Sequence, residues 1–373
     1  MRKTLNKTLI LDPAGLLWGS ERALLDYLRF MNRKPECRIA VCCPSGTPLE
    51  KEIDQLSRIE KFTILSRDLH RKSFGHRLLA LFELVLVIAK YRPSVICLNQ
   101  AGMTKLVLLA AKPFSIPVIV HLRMFDDIVY LSSLWRSSVP HLLKYVICIS
   151  KEIYNAAIAQ IPIPQNRMRM IYDSFELSGA KEKNVLSKKS LIYPGRIAPS
   201  KGQDIFLSCI AILKSEGIKL EAVLAGNPSK ETEPYARRLR ELAADLKIED
   251  QVLWAGYTED INSMMRKSFG LVCASHREGL GRIIFEAWDA GIVPIAYRHS
   301  GGPAEIIQES GGGILFDSLD GISLAKAINQ LLRLDQTAYD DHIQKGREWL
   351  LQNCDVSMYC RRLYDLWRSS VES

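Results

Sequence analysis

The 373 residues contain no C-x-x-C pair, and their nine cysteines are odd in number. Cys42, Cys97, Cys148 and Cys273 stand in apolar, strand-like runs. That is reduced, buried usage, which excludes a disulfide frame and a zinc site. No apolar run reaches the length of a membrane span. The longest candidate, residues 78–89, carries Glu83 and reads as a core or interfacial helix. Residues 1–17 do not read as a signal peptide, because the apolar run is short, Asp12 and Pro13 break it, and no cleavage site follows. The expected setting is therefore cytoplasmic. There is no repeat of solenoid period and no low-complexity tail. Nor is there a basic stretch interleaved with aromatics, so nucleic acid is not an expected partner.

What is present describes a globular chain with more than one core. Hydrophobic residues make up 47% and charged residues 24%, the balance of a soluble protein, and the length suits two domains. The net charge of +9 is unevenly placed. Residues 1–175 hold 25 Lys and Arg against 14 Asp and Glu, a surplus of 11; the remainder hold 25 against 27. Part of that surplus is ordinary solvated surface. The rest suits an anionic partner such as a membrane surface or a lipid phosphate.

Apolar runs at 8–11, 38–42, 62–65, 95–98, 118–121, 145–149 and 168–171 read as strands. Helical patterns separate several of them, at 21–30 with Ser20 as N-cap, near 49–56 and at 75–90. Residues 176–189 are polar and read as a linker. A second alternation follows, with strands at 190–193, 220–225, 251–254, 269–273, 293–296 and 314–316 and helices at 204–216, 235–246, 322–334, 338–352 and 357–369. The fold class this predicts is α/β with two doubly wound, parallel-sheet, Rossmann-like domains. Their expected bounds are 1–175 and 190–354. In such sheets ligands bind outside the carboxyl ends of the strands, and two sheets facing across a cleft would hold one substrate each.

Residues 273–307 concentrate the chemistry. A strand ends in a polar loop with Arg277, Glu278, Gly279 and Gly281, and the loop opens onto a helix carrying Glu286. A helix N-terminus with small residues before it suits a phosphate. Two carboxylates beside an anion site fit only if they serve hydroxyl groups, as on a sugar or ribose. A dinucleotide fingerprint is the rival reading of Gly279-Leu280-Gly281, but Ile284 stands where its third glycine belongs.

The run Glu278-Gly279-Leu280-Gly281 to Glu286-Ala287 resembles the E-x7-E signature of retaining glycosyltransferases of family 4, which have the two-domain GT-B fold. Pro194-Gly195-Arg196 with Lys201-Gly202 resembles the same family's G-R-x-x-x-x-K-G element. The resemblance is motif-specific between residues 193 and 305 and diffuse before them. It implies a nucleotide-sugar donor, with Arg196 and Lys201 on its diphosphate, where two cations offset the charge of the departing group. It also implies Glu286 on the ribose and Tyr257 near the base. Gly279 and Leu280 would face the donor sugar, and Gly281, Arg282 and Ile283 the diphosphate. Glu278 would stabilise charge at the anomeric carbon. His121 resembles the strand-end histidine of the first domain and would be catalytic, Gly19 would approach the diphosphate, and Glu21 would face the acceptor. The family commonly has a second glycine where Trp18 stands and shows Asn-Gly within the stretch Tyr172-Asp173-Ser174. Its last helix crosses back to the first domain, a role open to residues 355–373.

No D-x-D occurs, so no metal and no other cofactor is expected, the nucleotide-sugar being a substrate. The resemblance assigns the acceptor to the first half, where the basic surplus lies. A basic, apolar helix near residues 76–90, with Arg71, Lys72 and Arg77 at its start, suits an anionic bilayer. The expected acceptor is therefore a lipid-linked saccharide at the inner face of the cytoplasmic membrane, in the assembly of a cell-surface glycan. The competing functions are a sugar-nucleotide epimerase on the same scaffold and an inactive nucleotide-sugar-binding protein.

Overall fold

The computed structural model describes residues 7–34, 38–64, 74–137, 141–179, 188–258 and 260–372. The chain divides into two units, one of Met1–Glu176 with Cys354–Ser373 and one of Leu177–Asn353.

The first unit is built on strands β1 (Thr8–Leu11), β2 (Ile39–Pro44), β3 (Glu60–Ile64), β4 (Val95–Leu98), β5 (Val118–Leu122), β6 (Leu143–Cys148) and β7 (Met168–Met170). They pair in parallel in the order β3-β2-β1-β4-β5-β6-β7. Helices α1 (Gly19–Asn32), α2 (Pro48–Ile53), α3 (Phe74–Tyr91), α4 (Thr104–Ala111), α5 (Phe125–Ser137) and α6 (Lys151–Gln160) connect them. β1 and β4 are buried along their whole length, because helices cover both faces of the sheet; their sequences are accordingly continuous apolar runs. The strand order reverses between β1 and β4, which puts the loops after those two strands side by side at the carboxyl edge.

The second unit repeats the plan with β8 (Ser190–Pro194), β9 (Glu221–Ala225), β10 (Val252–Trp254), β11 (Gly270–Cys273), β12 (Val293–Tyr297) and β13 (Ile314–Phe316). Its parallel order is β10-β9-β8-β11-β12-β13, with the reversal between β8 and β11. Its helices are α7 (Gln203–Ser215), α8 (Glu233–Asp245), α9 (Ile261–Arg266), α10 (Ile283–Ala290), α11 (Gly302–Ser310), α12 (Gly321–Leu332) and α13 (Gln336–Asn353). The last helix, α14 (Val356–Glu372), belongs to the first unit. It packs on α1 through Tyr27, whose ring meets those of Tyr359 and Trp367 edge-on at 6.0 and 5.9 Å.

The structure departs from the sequence reading in three places. First, α4, α5, α6, α9 and α11 are additional helices. α4, α9 and α11 are only 8, 6 and 9 residues long, too short for periodicity to separate helix from loop or strand. Second, Ser20 is not the N-cap of α1. The helix starts at Gly19, Trp18 is the capping residue, and the Glu21 carboxylate accepts the Trp18 N–H at 3.0 Å. A carboxylate at the third helical position reaching back in this way satisfies a donor that Ser20 does not. Third, the start of the expected linker is anchored. The Ser178 N–H and hydroxyl both donate to Asp289 of α10, at 2.7 and 2.9 Å. Residues 180–187 of that linker lie outside the described residues, as do Arg71 and Lys72.

Tyr339 of α13 ties β11 to β12. Its hydroxyl donates to the Phe269 carbonyl at 2.6 Å and accepts the Val293 N–H at 3.3 Å, with the side chain fully buried. Tyr339→Phe leaves both backbone groups unsatisfied and is expected to cost about 1–3 kcal/mol, read as a lower urea midpoint. An unchanged midpoint contradicts that role.

Candidate functional site

Two polar clusters occupy the carboxyl edges, one per unit, each at the strand-order reversal.

In the second unit, the loop after β8 carries Arg196 and Lys201, and the loop after β11 carries Glu278. β8 and β11 are neighbours, so the two loops touch. The Lys201 ammonium is ion-paired with the Glu278 carboxylate. Ser275 Oγ donates to the same carboxylate at 2.8 Å. Gly202 makes the approach possible. It adopts a left-handed φ of +71°, and a Cβ there would fall 2.4 Å from the Ala274 carbonyl oxygen. Tyr193, at the end of β8, stitches the loops together: its hydroxyl bonds the Lys201 carbonyl and accepts the Ala274 N–H at 3.0 Å. Burial holds the Tyr193 phenol well above its ordinary pKa, so it stays neutral and can donate.

Glu278 also anchors the next loop. Its N–H donates to the Ser300 carbonyl at 2.7 Å, and its carbonyl accepts the Gly302 N–H at 3.1 Å. The chain then passes through Gly279, Leu280 and Gly281 into α10, with Arg282 at the N-cap and Ile283 as first helical residue. Gly281 turns at φ +78° against Pro303, where a Cβ would lie 2.4 Å from the proline ring. The Leu280 side chain is buried, so only its backbone can meet a ligand. Glu286 lies in the first turn of α10, half-buried. Arg196 is exposed just past β8, and Tyr257 is 58% exposed just past β10. Lys201, Glu278, Gly281, Ile283 and Glu286 thus share one edge, with a helix N-terminus pointing at it.

In the first unit, Asp12 directly follows β1 and Asn99 directly follows β4. Asp12 Oδ1 accepts the N–H groups of Ala14 and Gly15 at 3.0 and 2.9 Å, and Oδ2 accepts Asn99 Nδ2 at 2.6 Å. Arg123, just past β5, donates to the Asn99 carbonyl and to its Oδ1 at 2.7 and 2.6 Å. Its remaining nitrogen grips both oxygens of Asp173 at 2.9 and 2.7 Å. All four side chains are buried. The sequence reading missed this network entirely. Its signal was a polar residue directly after each of several apolar strands.

Glu21 joins the same edge, away from solvent. It accepts Gln100 Nε2 at 2.7 Å besides the Trp18 N–H, and burial, with Asp12 nearby, pushes its carboxyl up to about 7. Gly19 is exposed at the start of α1. His121, expected to face a donor sugar, is the penultimate residue of β5. Strand alternation gives it the inward face it shares with Ile119, and its imidazole is buried towards α1 and α14. It opens onto a cavity of about 10 Å³ lined by Ile10, Tyr27, Cys97 and Trp367 among others, and neither ring nitrogen has a hydrogen-bond partner among the described residues. Burial, with the Arg123 charge adding to it, drives the His121 pKa well below its ordinary value, so the ring is neutral.

Two doubly wound parallel sheets, one bearing a cationic loop against a helix N-terminus with flanking carboxylates, define the GT-B class of fold. The family models agree: the one described as "Glycosyl transferases group 1" matches residues 175–349, and "Glycosyltransferase Family 4" matches residues 19–178. The chain belongs to this family of glycosyltransferases. It is 26% identical over 190 residues to the GDP-mannose-dependent alpha-(1-6)-phosphatidylinositol monomannoside mannosyltransferase of Mycobacterium tuberculosis, covering 48% of each chain. It is 31% identical over 148 residues to the D-inositol 3-phosphate glycosyltransferase of Acidothermus cellulolyticus, 38% of this chain and 33% of that one. The chain thus spans about half the length, or less, of these curated relatives. Among solved structures, Anabaena HepE in complex with UDP and glucose superposes with a TM-score of 0.81 at 20% identity, over 98% of this chain and 100% of that one.

Glu21 predicts a pH dependence. Its folded pKa lies above the unfolded value of 4.5, so its contribution to stability is complete below about 4.5 and is lost as pH rises through about 7. Denaturant titrations from pH 5 to 8 should show the native protein losing more stability than Glu21→Gln. Equal losses contradict the assignment.

Proposed function

We propose that this chain is a retaining glycosyltransferase that moves a sugar from a nucleotide-sugar donor to an acceptor hydroxyl without a metal ion. The observation that carries this reading is the meeting of Lys201 with Glu278 beside the N-terminus of α10. A departing nucleoside diphosphate gains negative charge. Lys201, Arg196 and the N-terminal amides of α10 offer the stabilisation that a metal supplies elsewhere. In the absence of donor, Glu278 neutralises Lys201. With donor bound, the diphosphate takes over Lys201, and the Glu278 carboxylate turns to the sugar and the positive charge developing at its anomeric carbon. Glu286 then accepts from the ribose hydroxyls, and Tyr257 lies against the base.

Attack on the same face as departure accounts for retention. The leaving phosphate oxygen takes the acceptor's proton, so no enzymic nucleophile is required. His121 is not assigned a step, because its neutral ring faces the core of its own unit. Glu21, the side chain expected to face the acceptor, is buried and holds the first loop in place through Trp18 and Gln100. The acceptor we favour is a lipid-linked saccharide of a cell-surface glycan, met at the cytoplasmic face of the membrane. The named lipid acceptor of the mycobacterial relative and the basic surplus of residues 1–175 support it. No described helix is long and apolar enough to cross a membrane.

Lys201→Ala, Arg196→Ala and Glu286→Ala are each expected to weaken nucleoside diphosphate binding by about 1.5–3 kcal/mol, measured by calorimetry with UDP, GDP and ADP. Unaltered affinity in all three removes the site assignment. Turnover should persist in EDTA. Activity lost to the chelator and restored only by manganese contradicts the metal-free mechanism.

A further inference from the structure

α3 is apolar on the side it shows to solvent. Leu78, Leu79, Phe82 and Leu86 are 50%, 44%, 60% and 52% exposed, and Ala80, Leu84, Val87 and Ile88 of the same helix are buried in the unit. The exposed set recurs at helical spacing, so it forms one stripe along the axis. α4 packs directly beside α3 and adds exposed Leu109, with exposed Phe114 just beyond its end. An apolar stripe of this size on an outer helix marks a contact surface. The charged side chains of these two segments are mostly basic. Across residues 74–91 and 104–115 there are four basic side chains, Arg77, Lys90, Lys105 and Lys112, and one acidic, Glu83. The four cations are exposed, and Glu83 is half-buried.

We infer that this face of α3 and α4 is where the protein docks on an anionic lipid bilayer, α3 lying in the plane of the interface with Phe82 and Leu86 inserted among the acyl chains. This deepens the proposed membrane-linked acceptor and rests on it. Charge selects the occupant. A second copy placed on the same stripe would bring Arg77 and Lys90 against like charges, which is unfavourable, whereas phosphate headgroups neutralise them. The placement also suits the acceptor. A helix that follows a parallel strand starts at the carboxyl edge of the sheet, so Arg77, Leu78 and Leu79 of α3 and Lys105 of α4 stand at the edge that carries Asp12, Asn99 and Glu21. A lipid-linked saccharide held at the bilayer surface would meet that edge without leaving its membrane.

The test is flotation of the full chain with vesicles of phosphatidylglycerol and phosphatidylcholine, and with phosphatidylcholine alone, at low and high salt. Native protein should float with the anionic vesicles, and part of that binding should survive high salt because it is apolar. Phe82→Glu with Leu86→Glu should lower the bound fraction by about tenfold or more at both salts. Arg77→Glu with Lys90→Glu should lower it chiefly at low salt. The thermal shift produced by UDP or GDP, measured on every variant, reports folding and the donor site separately. Native protein that stays with buffer, or the double glutamate variant floating as well as native, overturns the docking face. So does a native dimer that the same substitutions split, which would assign the stripe to a second copy. A missing nucleotide shift in native protein would strike the transferase reading instead and leave the flotation result standing.

Discussion

Lys201 and Glu278 lie 77 residues apart in sequence and are brought together by strand order. β8 and β11 are adjacent because the second sheet grows outward in both directions from them. Each strand therefore delivers its following loop to the same place. Everything else in that unit's polar edge depends on this contact. A lysine and a carboxylate can share one edge only if the backbones beneath them come within touching distance, and that requires Gly202 against Ala274. The contact in turn brings the Lys201 cation to the loop that opens into the N-terminus of α10, two sources of positive potential on one edge.

The first unit solves the same geometric problem with different chemistry. Its reversal lies between β1 and β4, and there the loops are joined by Asp12 and Asn99, then extended through Arg123 to Asp173. A buried arginine survives because every donor shown for it finds an oxygen, and a charge left in such a place without its partner is costly. The outcome is an edge fixed by hydrogen bonds, where the second unit has an edge whose ion pair is about one-fifth exposed and can exchange its partner. A fixed edge in one unit and a partly exposed ion pair in the other are what the proposed acceptor platform and transient-anion site require.

Much of this was legible in the sequence, for physical reasons. Strands buried on both faces announce themselves as apolar runs, so β1, β4, β5, β8 and β11 could be read directly. Glu278, Gly281 and Glu286 were legible because their geometry is local, a loop feeding one helix. The Lys201–Glu278 contact was not, since it depends on which strands are neighbours. Nor was the direction of His121, since a single histidine at a strand end does not reveal which face alternation gives it. The Arg123 network joins four strand ends distant in sequence, and only the fold assembles it. Ser20 misled because serine is a good cap in general, whereas here the Glu21 carboxylate, three positions past Trp18, does that work.

The edge where Lys201 meets Glu278 is the proposed seat of the donor diphosphate. A crystal structure with a bound nucleoside diphosphate tests it most directly. The account predicts the diphosphate at the N-terminus of α10, Lys201 and Arg196 within hydrogen-bond distance of its oxygens, Lys201 parted from Glu278, and Glu286 on the ribose. A nucleotide bound elsewhere, or bound there with the Lys201–Glu278 pair still closed, would contradict it.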